Sequence, residues 1–291
     1  MTLLRFESSG RLAMMLALCV GFILLQGSGP SRLSAQTLPT SDTCRDCHLE
    51  LDDERLVRPA VDYEADVHAH AGFGCLECHG SAGRGELEPA VGFLGVPDRR
   101  RISDLCGRCH SDAAYMRQFN PSLRVDQVIE YRTSTHGRLL LEDNDPDVAT
   151  CVDCHPAHGI RSPSDPESSV YAGNVLDTCG RCHADQALME RRGHDWDQLE
   201  KYSRSVHGVM LLEEGDMSAP VCNDCHGNHG AAPPGITSVR NVCGQCHSVM
   251  ADYFAESGHA SIFEMEDLPG GALCHEHHEI RAVSDDFLMR S

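Results

Sequence analysis

The chain contains a single long apolar run and otherwise only short apolar stretches. The run extends from Leu12 to Leu25, follows a short basic start and precedes a segment of small residues. This order of charged, apolar and small residues predicts a secretory signal peptide over residues 1–35, with the mature chain beginning near Gln36. The 14 apolar residues are short for a membrane span, which needs about 20, so an uncleaved anchor is the alternative.

Cys19 lies inside this apolar run. Leu18 precedes it, where a lipoprotein signal requires a small residue, so we expect Cys19 to be removed with the signal rather than lipidated. The predicted location of the mature chain is periplasmic or extracellular.

Short polar and apolar patterns predict a mainly α and coil fold. Helical composition follows three cysteine-containing segments, at residues 111–119, 184–192 and 248–257. Clusters of Pro, Gly and Asp predict loops at residues 142–147, 161–169 and 231–235. Strand signals are scarce.

Composition indicates that this fold lacks an ordinary apolar core. Aromatic residues make up 5% of the 291 residues, whereas the chain has 16 cysteines and 18 histidines. A chain so poor in Phe and Trp predicts that some non-protein apolar material fills the interior.

Seven segments repeat the pattern Cys, two residues, Cys, His, and they contain 14 of the 16 cysteines. The cysteine pairs are Cys44 and Cys47, Cys75 and Cys78, Cys106 and Cys109, Cys151 and Cys154, Cys179 and Cys182, Cys222 and Cys225, and Cys243 and Cys246. The histidines that follow them are His48, His79, His110, His155, His183, His226 and His247.

This pattern predicts covalent attachment of haem c. Two thiols add to the two vinyl groups of one haem, and the imidazole that follows reaches the iron as its proximal ligand. Zinc sites and disulfides also use paired cysteines, but neither requires His directly after the second Cys. We therefore expect short helices and loops wrapped round a stack of seven haems, whose binding orders the chain.

The chain is internally repetitive with a period of 71 residues, the separation of His136 from His207 and of Cys151 from Cys222. Each full unit has a leading segment, Tyr-x-x-Ser-x-His, then a first motif with the pattern CxxCHxxH, then a second motif, CGxCH. The predicted organisation is a three-haem segment at 36–115, two-haem repeats at 116–185 and 186–250, and a shortened repeat at 251–291.

In these motifs the chain resembles the multihaem cytochromes of the doubled-CxxCH group, which are related in style to class III cytochromes c. The resemblance covers roughly residues 40–280 and implies two histidine ligands for each haem iron. The same arrangement occurs in small carriers, quinol-dehydrogenase modules, conduit subunits and enzymes, so the resemblance implies haem chemistry more firmly than a pathway.

A second ligand for every iron requires as many additional histidines as there are haems. The repeat-matched candidates are His68, His70, His136, His158, His207, His229, His259 and His278. His194 and His277 have no counterpart in the other copies and are expected to be exposed to solvent.

The spacing of His155 and His158 restricts which iron each can bind. Residues three apart on a helical turn project from the same side, so these two cannot approach one iron from opposite faces. We predict that His158, and likewise His229 and His278, ligate a neighbouring haem and draw haems together.

The shortened repeat contains a candidate eighth haem site. Gly271 stands where the first cysteine of the motif is expected, but Cys274, His275 and His278 keep the remaining spacing. A haem held by a single thioether to Cys274, with His275 as proximal ligand, is one interpretation. The alternative is a decaying repeat in which Cys274 is a free thiol.

The predicted function is electron transfer through seven or eight haems. The alternatives are an oxidoreductase similar to multihaem nitrite reductases or hydroxylamine oxidoreductases, and a structural subunit of a cytochrome filament or conduit. The CxxCK signature of nitrite reductases is absent, since Lys201, the only lysine, follows no CxxC.

The strongly acidic balance limits the partners. The formal net charge is −20, and removal of residues 1–35, with three Arg and one Glu, makes it −22. Such a surface repels nucleic acid and suits redox partners with basic docking surfaces, or serves only solubility. Membrane contact is expected only through an uncleaved signal or a membrane-bound partner.

Overall fold

The computed structural model describes residues 41–80, 93–235, 239–268 and 270–282. They belong to one compact unit, Leu38–Ser291. The predicted signal peptide and Cys19 lie outside the described residues. None of the described helices is long and apolar enough to cross a membrane.

The N-terminal half consists of short helices. They are α1 (Ser41–Leu49), α2 (Glu54–Asp62), α3 (Val67–His70), α4 (Cys75–His79), α5 (Ile102–His110), α6 (Ala113–Met116), α7 (Gln127–Thr133), α8 (Thr135–Leu141) and α9 (Cys151–Cys154). Single 3₁₀ turns occur at Tyr63–Ala65, Arg99–Arg101 and Ala172–Asn174.

The C-terminal half continues in the same way. Its helices are α10 (Val175–His183), α11 (Gln186–Arg191), α12 (Gln198–Ser203), α13 (Val206–Leu212), α14 (Cys222–His226), α15 (Val239–Gly244), α16 (Ser248–Glu256), α17 (Gly258–Met265) and α18 (Ala272–His275).

The prediction of a mainly α and coil fold is confirmed, since the described part of the chain has helices and loops but no strand. The three segments of helical composition form α6, α11 and α16. The predicted loops at 142–147, 161–169 and 231–235 lie outside helices. No described helix exceeds nine residues, in keeping with the frequent Gly, Pro and Asp residues along the chain.

The leading segments fold as helix pairs, α7 with α8 and α12 with α13. Between the helices of each pair, a buried serine accepts a hydrogen bond from the backbone N–H three residues later, Gly137 onto Ser134 and Gly208 onto Ser205. This is a helix N-cap. It fixes the sharp turn that presents the leading histidine, which stands between the serine and the glycine.

Glycine is required at these two caps by close approach of the backbone. A Cβ atom on Gly137 would lie 1.8 Å from the carbonyl oxygen of Tyr131, and one on Gly208 would lie 2.0 Å from that of Tyr202. The tyrosine of each leading segment in turn anchors the pair, since its hydroxyl donates a hydrogen bond to a backbone carbonyl just before the first motif.

Two small clusters of buried apolar residues occur in the described part of the chain, one within the first full repeat and one that joins both full repeats. One contains Tyr131, Leu140 and Val148. The other is centred on Val175, Leu176 and Leu211. These clusters hold the leading segment against the region before the first motif. The second cluster includes the first two residues of α10, and the motif cysteines Cys179 and Cys222 pack against it.

Candidate haem sites

The first motif of each unit begins a short helix at its first cysteine, as in α4, α9 and α14. The acidic residue in the third position of the motif accepts a hydrogen bond from the backbone N–H of the residue before the helix. The donors are Gly74 to Glu77 (2.8 Å), Thr150 to Asp153 (2.7 Å) and Val221 to Asp224 (2.7 Å). This bond satisfies a backbone donor at the helix start and favours a helical turn. A helical turn places the two thiols on one side.

The second motifs at 106–110 and 179–183 instead end longer helices, α5 and α10. Each has an arginine between its cysteines. Arg108 donates to the carbonyl of Glu77 at 3.1 Å, and Arg181 donates to the carbonyl of Asp153. The arginine therefore ties each second motif to the first motif that precedes it.

Six histidines from the motifs lie opposite six histidines from outside them. In each pair the two ring centroids lie about 6 Å apart. The distances are 5.9 Å between His68 and His110, 5.8 Å between His79 and His158, 6.0 Å between His136 and His183, 6.3 Å between His155 and His229, 6.1 Å between His207 and His247, and 5.9 Å between His226 and His278. Each pair joins one CxxCH histidine to one of the eight repeat-matched candidates.

This spacing fits two imidazoles that bind one metal from opposite sides. A metal–imidazole bond is about 2 Å and the ring nitrogen lies about 1.2 Å from the ring centre, so two such rings have centroids about 6 Å apart. Direct stacking of two rings would bring them much closer, since carbon atoms in contact are about 3.5–4 Å apart. Together with two thiols beside one histidine of each pair, this donor set fits haem c.

The pairs follow one rule along the chain. A leading histidine pairs with the second motif of its own unit, as His136 does with His183. The last histidine of a CxxCHxxH segment pairs with the first motif of the preceding unit, as His229 does with His155. His158 and His278 are placed in the same way, opposite His79 and His226.

Three backbone hydrogen bonds repeat with the pairs and hold successive units together. The residue before each leading histidine donates its N–H to the carbonyl two residues after a CxxCHxxH segment of the next unit. The bonds join Val67 to Ile160 (2.8 Å), Thr135 to Ala231 (3.0 Å) and Val206 to Ile280 (2.9 Å). The shortened last repeat supplies the third of these bonds, so it docks onto the unit before it in the way a full repeat does.

Burial favours the neutral form, which is the form that binds a metal, in eight of the twelve paired imidazoles. It lowers the pKa of His110, His136, His155, His158, His183, His207 and His229 below the ordinary value. The pKa of His278 falls to about 4, first through burial and then through the neighbouring His277 and His226.

Hydrogen bonds orient several motif imidazoles. The Nδ1 atom of His48 lies 2.9 Å from the carbonyl oxygen of Leu56. The Nδ1 atom of His79 lies 2.9 Å from that of Gly95, and the Nδ1 atom of His226 lies 3.2 Å from that of Ala232. A carbonyl only accepts, so Nδ1 carries the proton and Nε2 is the nitrogen available to a metal. Such a partner fixes both the tautomer and the ring orientation of a metal-binding histidine.

Consecutive motifs are neighbours in space, in the order of the chain. The thiols of Cys106 and Cys151 lie close together, as do those of Cys179 and Cys222, where α5 contacts α9 and α10 contacts α14. Helix α1 contacts α4, and α9 contacts α10. Each of these contacts joins a motif to the next one along the sequence, so the motifs form a row. No disulfide joins any of the 15 described cysteines.

The remaining predicted site residues lie outside the six pairs. His70 and His259 are exposed, and the ring of His259 lies 6.5 Å from Phe263. His194 and His277 are exposed as predicted. Cys274 and His275 lie at the end of α18, which begins one residue after Gly271. Gly271 has φ of +84°, a conformation in which a cysteine would be strained.

Sequence reasoning missed the residues that hold the ligands in place. The acidic third position of the first motif repeats in Glu77, Asp153 and Asp224, so the repeat alignment contained that signal. The role of Asp66 has a weaker signal in the sequence, because no other leading segment has an acid at this position. Asp66 replaces the serine of the other leading segments, and its carboxylate bonds the His68 ring at 2.9 Å.

Comparison with known proteins agrees with these sites. A model of the doubled CXXCH motif family matches residues 212–252, which contain the motifs of His226 and His247. The chain is 26% identical over 221 residues to multiheme cytochrome MtrA of Shewanella baltica (strain OS185). That match covers 72% of this chain and 53% of the relative, so the chain spans about half the relative's length. No solved structure matches the chain significantly.

Proposed function

Because the chain is a multihaem c-type cytochrome with doubled CxxCH motifs, we propose that it carries electrons along a row of covalently bound haems. The observation that supports this most directly is the set of six histidine pairs, each beside a CxxC pair and each at the spacing of two imidazoles on one metal. When bound, each haem would supply an iron that changes oxidation state by one electron.

The residues that would hold seven haems are the seven cysteine pairs and the seven motif histidines. Six second ligands are His68, His136, His158, His207, His229 and His278. With both faces of an iron closed by imidazole, no position remains for a substrate. This arrangement suits electron transfer, whereas an enzyme keeps one coordination position open.

The order of the motifs supports transfer along the chain from one site to the next. The thiol contacts at Cys106 with Cys151 and at Cys179 with Cys222 bring the second motif of one unit against the first motif of the following one. Arg108 and Arg181 do the same within a unit. With the contact of α1 and α4, five of the six steps between the seven motifs therefore have a protein contact that holds neighbouring sites close.

If the protein were an enzyme, few of its haem irons would have a free position for a substrate. Among the seven complete CxxCH motifs, His48 is the proximal candidate that is not a member of the six pairs. All 18 histidines lie within the described residues. A substrate-binding iron would therefore be sought first at the His48 site, where Nδ1 bonds the Leu56 carbonyl and leaves Nε2 for the metal.

The surroundings that we propose are extracytoplasmic, in agreement with the relative and with haem attachment to cysteine pairs. The formal charge of −20 favours a redox partner with a basic docking surface, because opposite charges accelerate encounter. Nucleic acid would be repelled by the same charge.

The experiment that tests the proposal is expression in cells able to mature c-type cytochromes, followed by haem staining of a denaturing gel. Covalent haem in the mature protein, and complete conversion of the oxidised to the reduced haem spectrum by dithionite, are the expected results. The matched control replaces both Cys151 and Cys154 by alanine and should contain one haem fewer by intact mass. A colourless band from the parent protein would refute the proposal.

A further inference from the structure

One histidine pair differs from the others by a buried carboxylate. Asp66 is fully buried and accepts three hydrogen bonds. The donors are the backbone N–H of His68 at 2.8 Å, the ring Nδ1 of His68 at 2.9 Å and the backbone N–H of Ile160 at 2.8 Å. The acid therefore bonds directly to the imidazole that stands opposite His110.

The equivalent position in the other two leading segments is occupied by Ser134 and Ser205. The backbone has nearly the same shape at all three, with φ and ψ of −76° and 138° at Asp66 and −67° and 165° at Ser134. The serine hydroxyls bond only their own helix, accepting from the glycine three residues on and donating to a tyrosine carbonyl. Their bonds do not involve the leading histidine.

The three groups that bond the Asp66 carboxylate are all N–H donors, the partners that suit an ionised carboxylate. A buried negative charge thus lies one hydrogen bond from the ring that would bind the iron.

We propose that Asp66 is a positioning residue that lowers the reduction potential of the haem held between His68 and His110. A carboxylate that accepts the Nδ1 proton makes an imidazole a stronger donor to its metal, and a negative charge nearby favours the ferric over the ferrous state. This inference rests on the proposed function, because it requires haem at that pair.

The proposed effect of Asp66 on the reduction potential is confined to the haem of the His68–His110 pair. The His136–His183 and His207–His247 pairs have serine in the equivalent position. Asp66 thus distinguishes the His68–His110 haem from the two sites related to it by the repeat. An electron would reach this site less readily than it reaches the others of the same type.

The test is a reductive titration of the matured protein, followed by low-temperature EPR so that individual ferric signals are resolved. Asp66→Asn keeps an acceptor of the same size beside Nδ1 but removes the charge. We expect one midpoint potential to become more positive and the rest to stay unchanged. Asp66→Ser, which introduces the residue of the other two segments, should shift the same midpoint in the same direction.

Glu142→Gln is the matched control, because Glu142 is an exposed acid whose loss changes the net charge equally. It should leave every midpoint where it was. Unchanged midpoints in both Asp66 variants with full haem content would overturn the proposal, as would loss of that haem from both, which would make Asp66 merely structural. Failure of the proposed function is distinct, since the parent protein would then contain no covalent haem.

Discussion

His158 lies opposite His79, with 5.8 Å between ring centroids and 7° between ring planes, although His155 precedes it by only three residues. The three-residue spacing predicts this choice, because both side chains leave the same side of the turn and cannot close one iron between them. His158 belongs to one repeat and His79 to the repeat before it. The second ligand would therefore connect two units as well as complete a site.

Replacing His158 by alanine should open the iron of the His79 site without removing its haem. The two thioether bonds and the proximal imidazole would remain, but the sixth ligand would be lost. We expect a high-spin ferric EPR signal that the parent protein lacks at this site, and binding of added imidazole should abolish it. His194→Ala, which removes an exposed histidine outside the six pairs, should leave the spectrum unchanged.

The paired rings fall into two classes of orientation. The pairs at first motifs are close to parallel, with interplanar angles of 7° at His79, 17° at His155 and 17° at His226. The pairs at second motifs are rotated, by 88° at His110, 61° at His183 and 32° at His247. The two kinds alternate along the row.

This alternation predicts two kinds of low-spin ferric EPR signal. Parallel imidazoles split the iron orbitals that accept π electrons and give rhombic spectra, whereas crossed imidazoles leave these orbitals nearly degenerate and give highly anisotropic spectra. We expect three rhombic signals and two strongly anisotropic ones, from the His110 and His183 sites, with the His247 site intermediate. A spectrum with rhombic signals alone would contradict the ring orientations.

Much of the fold and the candidate site could be predicted from the sequence because the determining patterns are local and repeated. The CxxCH motif is complete within five residues, and the leading histidines recur at the same position in successive units. The helices α6, α11 and α16 follow from composition, and the loops between them follow from Pro, Gly and Asp.

Other features depend on contacts that no local pattern contains. Asp66 accepts a hydrogen bond from Ile160, 94 residues further along the chain. This contact forms only when the two repeats pack together, so it cannot be read from either repeat alone. Likewise, the second ligands that cross from one unit to another, His158, His229 and His278, depend on packing between units, which backbone bonds such as Val67 to Ile160 support. His70, a predicted ligand from the degenerate first copy, is exposed and lies outside the six pairs.

Gly208→Ala should destabilise the protein by about 2 kcal/mol or more, because the added Cβ would lie 2.0 Å from the Tyr202 carbonyl and 2.8 Å from the Ser203 backbone. Neither atom can move without shifting the turn that presents His207. Thermal unfolding monitored at the haem absorbance should show a lower midpoint. Gly258→Ala is the control, since a Cβ there meets nothing within 4 Å, and an equal loss in both variants would exclude the clash as the cause.

The last prediction concerns Cys274, which we expect to hold an eighth haem through one thioether, with His275 as proximal ligand. His278, three residues after His275, stands opposite His226, so the shortened repeat keeps the ligand role that the first motif's last histidine has in full units. Gly271 has a φ of +84°, which glycine adopts without the strain that a cysteine would carry there. Loss of that thiol removes one of the two covalent bonds to the haem, but Cys274 and the proximal candidate His275 remain.

Intact mass of the matured protein, together with a haem count from pyridine haemochrome absorbance, should therefore give eight haems. Cys274→Ala should lower the covalent count by one and leave the other seven bound, because the cysteine pairs are independent attachment sites. A matched variant, Cys243→Ala, should retain its haem through Cys246 alone if a single thioether is sufficient in this protein. A parent protein with seven haems, in which Cys274 reacts with iodoacetamide, would show instead that the shortened repeat serves only to supply His278.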